Sequence, residues 1–266
     1  MTLIPEMPEA EYHAHSALSS TGARQLLSSP AKYHYGLTHP RKDTAAFDAG
    51  TIIHTKVLGT GAGIKVLEFD NYRTKAAQIE RDEAREVGLV PMLAHEIAPL
   101  EAIAESVLAH PLARVLFEKE GTPEMSLFGT DPATGADVRC RFDYYADIAV
   151  DLKTTATDAS PSGFMKTAAS YGYDVQEAHY RDTRGFVTGD RGEFVFVVVE
   201  KEAPYLVCVH QLDQDFREIG EAKARKAREI YARCLETGVW PGYPEEVHLI
   251  QPPVWAVYEY QEKYEK

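Results

Sequence analysis

Polar and apolar positions change rhythm twice along this chain. From residue 17 to 118 the apolar positions recur at helical spacing. ALSSTGARQLLSSPAKYHYGL (17–37) reads as a short helix capped by Ser20 or Thr21 and stopped near Pro30. AAFDAGTIIHTKVLG (45–59) reads as a helix carrying His54 and closed by Gly59. TGAGIKVLEF (60–69) suggests a loop with one short strand. NYRTKAAQIERDEAREVGLVPM (71–92) begins as a polar helix, and LAHEIAPLEAIAESVLAHPLARVLFE (93–118) continues helically with a break near Pro111. The period then drops to two. PEMSLFGT (123–130), VRCRFDYY (138–145) and IAVDLKTT (148–155) alternate as strands, with DPATGAD (131–137) as the first turn. Helix returns over 160–187, interrupted near Gly172. EFVFVVVE (193–200) and YLVCVHQL (205–212) form a strand pair, and 213–238 is a long helix capped by Asp213 and stopped by Gly238. The Pro- and aromatic-rich tail from 239 onward is expected to pack along the surface. No linker or repeat interrupts this order. It predicts one α/β domain over 1–266, with a core of about 18–212 and a C-terminal helix and tail over 213–266.

The strand region holds charges where a core is expected. Side chains alternate along a strand, so Val138, Cys140, Phe142 and Tyr144 share one face, and Arg139, Arg141 and Asp143 share the other. Ile148, Val150 and Leu152 oppose Asp151 and Lys153 in the same way. A hairpin centred on Asp147 sets Asp143 opposite Asp151. A first hairpin with Gly129 opposite Val138 sets Glu124 opposite Asp143. Three carboxylates then line up across three strands beside Lys153. Like charges directly opposite one another are destabilising, and hard oxygen donors so spaced suit Mg²⁺ or Mn²⁺ better than zinc. Spacing alone leaves a second reading open: a solvated sheet face whose acids Arg139 and Arg141 neutralise.

Bulk properties narrow the classes. The 266 residues carry 44% hydrophobic side chains and a net charge of −13. This is enough for a core, and it argues against general nucleic-acid coating without excluding a local basic groove. No apolar run is long enough for a membrane helix, and MTLIPEMPEAEYH lacks the basic and apolar regions of a secretory signal. Three scattered cysteines, Cys140, Cys208 and Cys234, fit neither a disulfide framework nor an iron–sulfur cluster, so a reducing cytoplasm is expected. GTGAGIK lacks the spacing of a nucleotide-binding loop. His13 and His15 fall in a segment expected to be mobile. KARKAR (223–228) spreads its charge around a helix rather than along one track.

In order, ALSSTGARQLLSSPAKY, FDAGTIIHTKVLG, PEMSLFG, RFDYY, AVDLKTT and QEAHY resemble the motif series of the PD-(D/E)xK nuclease superfamily. The closest likeness is to the RecE-type exodeoxyribonucleases (exonuclease VIII) of phages and prophages. The resemblance covers roughly residues 18–180. It implies a restriction-endonuclease-like core, a central mixed sheet flanked by helices. It implies that His54, Asp143 and Asp151 are metal ligands, with Glu124 close by holding a metal-bound water or a second metal. Lys153 would orient the attacking water and stabilise charge on the phosphate. Gln176 and Tyr180, one helical turn apart, would face the active site and DNA strand, and Arg24 would meet a terminal 5′-phosphate. Gly50, one turn before His54 on the same face, would either admit a close backbone approach or serve packing alone. The implied activity is Mg²⁺-dependent (Mn²⁺ also suitable) exonucleolytic digestion of linear duplex DNA, 5′ to 3′. That activity would supply 3′ strands to a single-strand annealing protein in the cytoplasm of a bacterial host, from a homo-oligomeric ring. An endonuclease or flap nuclease, a non-catalytic DNA- or protein-binding module, and an unrelated soluble domain are the alternatives.

Overall fold

A computed structural model describes residues 2–39 and 45–265. Strand β1 (Thr2–Ile4) and helix α1 (Glu9–Ala14) come first, where the sequence suggested a mobile segment. β1 is instead an edge strand, pairing antiparallel with β4 through Leu3 opposite Leu127. Helix α2 (Ser20–Ser28) is capped one residue earlier than expected, by Ser19, whose Oγ accepts from Gly22 N. Pro30 does not end the helical region. It occupies the first turn of α3 (Pro30–Thr38), where its missing N–H costs nothing, and Ser29 caps that helix.

Helix α4 (Ala45–Leu58) carries His54, and Gly59 follows it with φ 72°. Strand β2 (Ile64–Leu67) pairs parallel with β3 (Val90–Leu93) across α5 (Lys75–Glu86). β3 escaped the sequence reading because Pro91 breaks its pattern, which a two-stranded ribbon tolerates. Helices α6 (Ala94–Ala109) and α7 (Pro111–Glu118) break at His110, as Pro111 implied.

The main sheet has six strands in the order β1-β4-β5-β6-β7-β8. It contains β4 (Thr122–Thr130), β5 (Asp137–Tyr145) and β6 (Ile148–Thr155). Helices α8 (Pro161–Tyr171) and α9 (Tyr173–Thr188) then cross over to β7 (Glu193–Glu200), which runs parallel to β6. Strand β8 (Val207–His210) closes the far edge antiparallel to β7. Helix α10 (Gln214–Thr237) is capped by Asp213 and ended by Gly238 at φ 69°. A last helix, α11 (Val254–Tyr264), buries no residue. The tail expected to pack on the surface does so only at its start, where Trp240 lies against Tyr33 and stacks on His34.

Both sheet faces are covered. Val150, Leu152, Val197 and Val199 pack with α4, α6 and α7. Cys140, Phe142, Ala149, Phe194 and Phe196 pack with α8 and α9 on the other side. A third cluster joins α2, α3, α9 and α10 around Leu18, Val138 and Tyr231. The solvated-face alternative therefore fails: Asp151 is 2% exposed and Arg139 8%. No helix among the described residues is long and apolar enough to cross a membrane.

Candidate active site

The site forms where β5 and β6 separate. Tyr144 stands opposite Val150, so Asp143 counts to Asp151, the register expected from the sequence. Gly129 opposite Val138 likewise brings Glu124 level with Asp143. The expected face alternation fails within β5. Phe142 lies in the α8–α9 cluster, whereas Tyr144 packs against Val150 and Leu152 on the opposite side. Tyr145 packs edge-on to Phe142, three residues away, which regular alternation forbids. The cause is at Asp143. Its Oδ2 accepts a hydrogen bond from Leu152 N at 2.6 Å, so a side chain fills the gap between the two backbones.

Glu124 sits in a second irregularity. Its φ is 48°, in the left-handed region that costs a non-glycine residue energy. The paired neighbours Pro123 and Met125 hold it there. The outcome is that His54, Glu124 and Asp143 each offer a ligand atom, all within 4.8 Å of one another. His54 Nδ1 lies 3.5 Å from Asp143 Oδ2. Arg141 approaches Glu124 at 3.8 Å while donating to Ser126 Oγ and to the carbonyl of Met7. Burial, and then the facing charge of Asp143, push the Glu124 carboxyl up to about 7.

Asp151 belongs to the same neighbourhood but keeps other company. Its Oδ1 accepts from Gln176 Nε2 at 2.6 Å, and its Oδ2 pairs with the Lys153 ammonium. Burial raises its carboxyl above the usual range, opposed by Lys153. That Oδ2 has no hydrogen bond of good geometry although it is buried. A cluster of two close carboxylates, an imidazole and a further buried carboxylate oxygen fits a divalent cation, which would relieve the repulsion that burial intensifies.

The other sequence candidates separate. Gln176 meets Asp151, as the helical spacing allowed. Tyr180 is 9% exposed and packs edge-on against Phe142 and Phe194. Arg24 donates to the carbonyl of Tyr171 at 2.5 Å and to Thr21 Oγ1. A Cβ on Gly50 would meet nothing within 4 Å among the described residues, so no close backbone approach explains that glycine.

The sequence reading missed Tyr12. Its ring lies under both Arg139 and Arg141, with the guanidinium carbons 5.0 and 4.4 Å from its centroid. Arg139 also donates to the carbonyls of His15 and Ala17. These arginines therefore fasten the N-terminal segment to the sheet instead of only neutralising acids. Tyr173 was also missed, although its ring centroid lies 4.9 Å from Lys153 Nζ.

The crystal structure of a "putative exonuclease" from Eubacterium rectale is similar to this chain, with a TM-score of 0.61 at 15% identity over 96% of each chain. At that identity the likeness is one of fold. A phage-related exonuclease from Haemophilus somnus 129PT gives a TM-score of 0.37 at 11% identity, over 85% of this chain and 97% of that one. No curated protein matches the chain. The family model described as a PDDEXK-like domain of unknown function (DUF3799) matches residues 19–253. With most of its length matched, the chain belongs to this PDDEXK-like family.

Proposed function

We propose that this protein is a metal-dependent nuclease that hydrolyses phosphodiester bonds of DNA. One observation carries the reading: the His54–Glu124–Asp143 cluster stands beside a buried Asp151–Lys153 pair at the parting of two strands. Membership of the PDDEXK-like family supports it, as does the name of the Eubacterium rectale neighbour.

His54, Glu124 and Asp143 would hold the cation, with Asp151 completing the set. A bound divalent ion supplies a nucleophile at neutral pH and relief of phosphate charge. Carboxylate donors favour Mg²⁺, and the imidazole also suits Mn²⁺. Lys153 sets a fixed positive charge where the transition state accumulates negative charge. Gln176 donates to Asp151 and so fixes that carboxylate's rotamer. Leu152 N does the same for Asp143.

The resemblance to RecE-type enzymes sharpens the reading. The substrate is the end of linear duplex DNA, digested 5′ to 3′, with the 3′ strand passing to an annealing protein in a bacterial cytoplasm. Arg24 would meet the 5′-phosphate. A homo-oligomeric ring agrees with the exposed apolar tail, where Val247, Leu249, Ile250, Trp255 and Tyr258 are 64–101% exposed. Monomers seldom leave so much apolar surface uncovered. A strictly monomeric solution mass removes the ring.

The decisive assay uses end-labelled linear duplex beside closed circular DNA, with Mg²⁺, with Mn²⁺, with EDTA, and with Asp151→Ala. Loss of the linear form alone, abolished by EDTA and by the variant, is expected. Cutting of the circle makes it an endonuclease, and retention of the labelled 5′ end while the 3′ end is lost reverses the polarity. Metal-independent DNA binding without cleavage makes it a binding module.

A further inference from the structure

Lys153 pairs directly with one carboxylate and lies over one aromatic ring, with the Asp143 charge also acting on it. Asp151 takes the first role. Tyr173 takes the second, with its ring centroid 4.9 Å from Nζ. The ring is unusually well held. Gly172, at φ 69°, ends α8 and lets α9 begin at once with Tyr173. The space beyond Gly172 is filled by Arg24, whose Cδ lies 2.8 Å from where a Cβ would stand, so a larger residue at this left-handed corner would be strained and crowded. The Tyr173 ring then stacks on Phe164 and Phe196, at centroid distances of 5.9 and 5.7 Å. Phe164 is itself stacked on His210 at 4.5 Å, and Phe196 is wholly buried. A chain of four rings therefore fixes one aromatic face toward the ammonium. A lysine side chain has four rotatable bonds and keeps its head in water unless something holds it. A carboxylate alone fixes a distance, whereas a carboxylate and a ring face on different sides fix a position.

We propose that Tyr173 is a positioning residue for Lys153: its ring face and Asp151 together hold the ammonium in place, leaving a third donor direction for a phosphate oxygen. The phosphate clause rests on the nuclease reading, while the positioning clause rests on the geometry alone. The ring matters and the hydroxyl does not. Tyr173→Phe therefore keeps the function. Tyr173→Leu fills similar space without a π face and loses it.

Two measurements separate the clauses. In cleavage of linear duplex at saturating DNA and metal, Tyr173→Leu lowers kcat about tenfold with KM unchanged, the size of one cation–π contact in a partly dry site. Tyr173→Phe stays within about twofold of wild type. In lysine-labelled, metal-free protein, the Lys153 side-chain signal (assigned by its loss in Lys153→Arg) carries an upfield ring-current shift in wild type and in Tyr173→Phe. That shift disappears in Tyr173→Leu. Tyr173→Met serves as a second ring-free variant should the leucine protein unfold. An unchanged Lys153 signal in the ring-free variant overturns the proposal, whether or not the wild type cuts DNA. A raised KM in Tyr173→Phe, with the Lys153 signal in place, overturns the claim that the hydroxyl does not matter, in favour of a phenol that touches DNA. A wild type that cuts nothing while the shift behaves as expected refutes the nuclease reading and leaves the positioning role supported.

Discussion

Glu124 should make the protein less stable in exchange for the site it builds. Two penalties meet on this residue. Its backbone is left-handed at φ 48°, which costs an L-residue roughly 1–2 kcal/mol. Glycine removes that strain but loses about 0.5–1 kcal/mol of unfolded-chain entropy, so relief of the backbone alone is worth at most about 1.5 kcal/mol. The second penalty is electrostatic. Burial and Asp143 raise the carboxyl to about 7, against about 4.3 in an unfolded chain. Between those values the native state binds more protons than the unfolded state. Stability therefore falls as pH rises through that window, and the loss is complete above it. The full linkage amounts to about 4 kcal/mol. Because the side chain is 23% exposed, solvent screening reduces it to about 1–2 kcal/mol.

The test compares Glu124→Gln, which removes charge and keeps the strain, with Glu124→Gly, which removes both. In EDTA at pH 8, Glu124→Gln should unfold with about 1–2 kcal/mol more stability than wild type, and the gain should vanish below pH 4.5. Glu124→Gly should exceed it by up to about 1.5 kcal/mol, at most a further ~3–6 °C in Tm for a chain of this size. Both variants should lose nuclease activity, and both should gain less Tm than wild type when Mg²⁺ or Mn²⁺ is added. A Glu124→Gly protein that melts below Glu124→Gln at every pH would falsify the strain argument. A Glu124→Gln protein whose advantage does not change with pH would sink the electrostatic one.

Asp151→Asn should lower DNA cleavage by about a hundredfold or more. It should also cost about 1–3 kcal/mol in urea unfolding, because Lys153 loses the carboxylate it pairs with directly. His179 is fully buried, with Nε2 at 3.0 Å from the carbonyl of Arg139, and burial pushes its pKa down to about 4. The unfolded imidazole takes a proton near pH 6.5, so this residue withdraws up to about 3 kcal/mol of stability as pH falls from 6.5 to 4. The difference between wild type and His179→Gln should therefore shrink over that interval in a pH series of urea melts, and a constant difference would refute the assignment. A Cβ on Gly220 would come within 2.3 Å of the Asp174 carbonyl, where α10 crosses α9. Gly220→Ala should cost about 1–3 kcal/mol, and an unchanged melting curve would show that the two helices can separate freely.

How much of this was legible beforehand follows from which physics governs each part. The strands from Glu124 to Lys153 could be read because register is an arithmetic property of a hairpin. Fixing one turn at Asp147 and one pair at Gly129 and Val138 places every carboxylate opposite its neighbour. The helices could be read from period and caps, with errors of one residue at Ser19 and one helix at Pro30, since proline stops one helix and starts the next with equal ease. What could not be read was the departure from regularity. Alternation predicted Tyr144 beside Phe142, but the Asp143 carboxylate takes up Leu152 N and turns the rest of β5 over. Strand β1 was also invisible, because three residues carry no period of their own and are held by their partner strand β4, far along the chain. The β5 failure has a specific origin. A pattern argument assumes that each backbone group finds a backbone partner, and here a side chain, Asp143, takes that place. The rule breaks where the chemistry is, so an unexplained acid inside a strand pattern is itself the best local signal that the alternation beyond it should not be trusted.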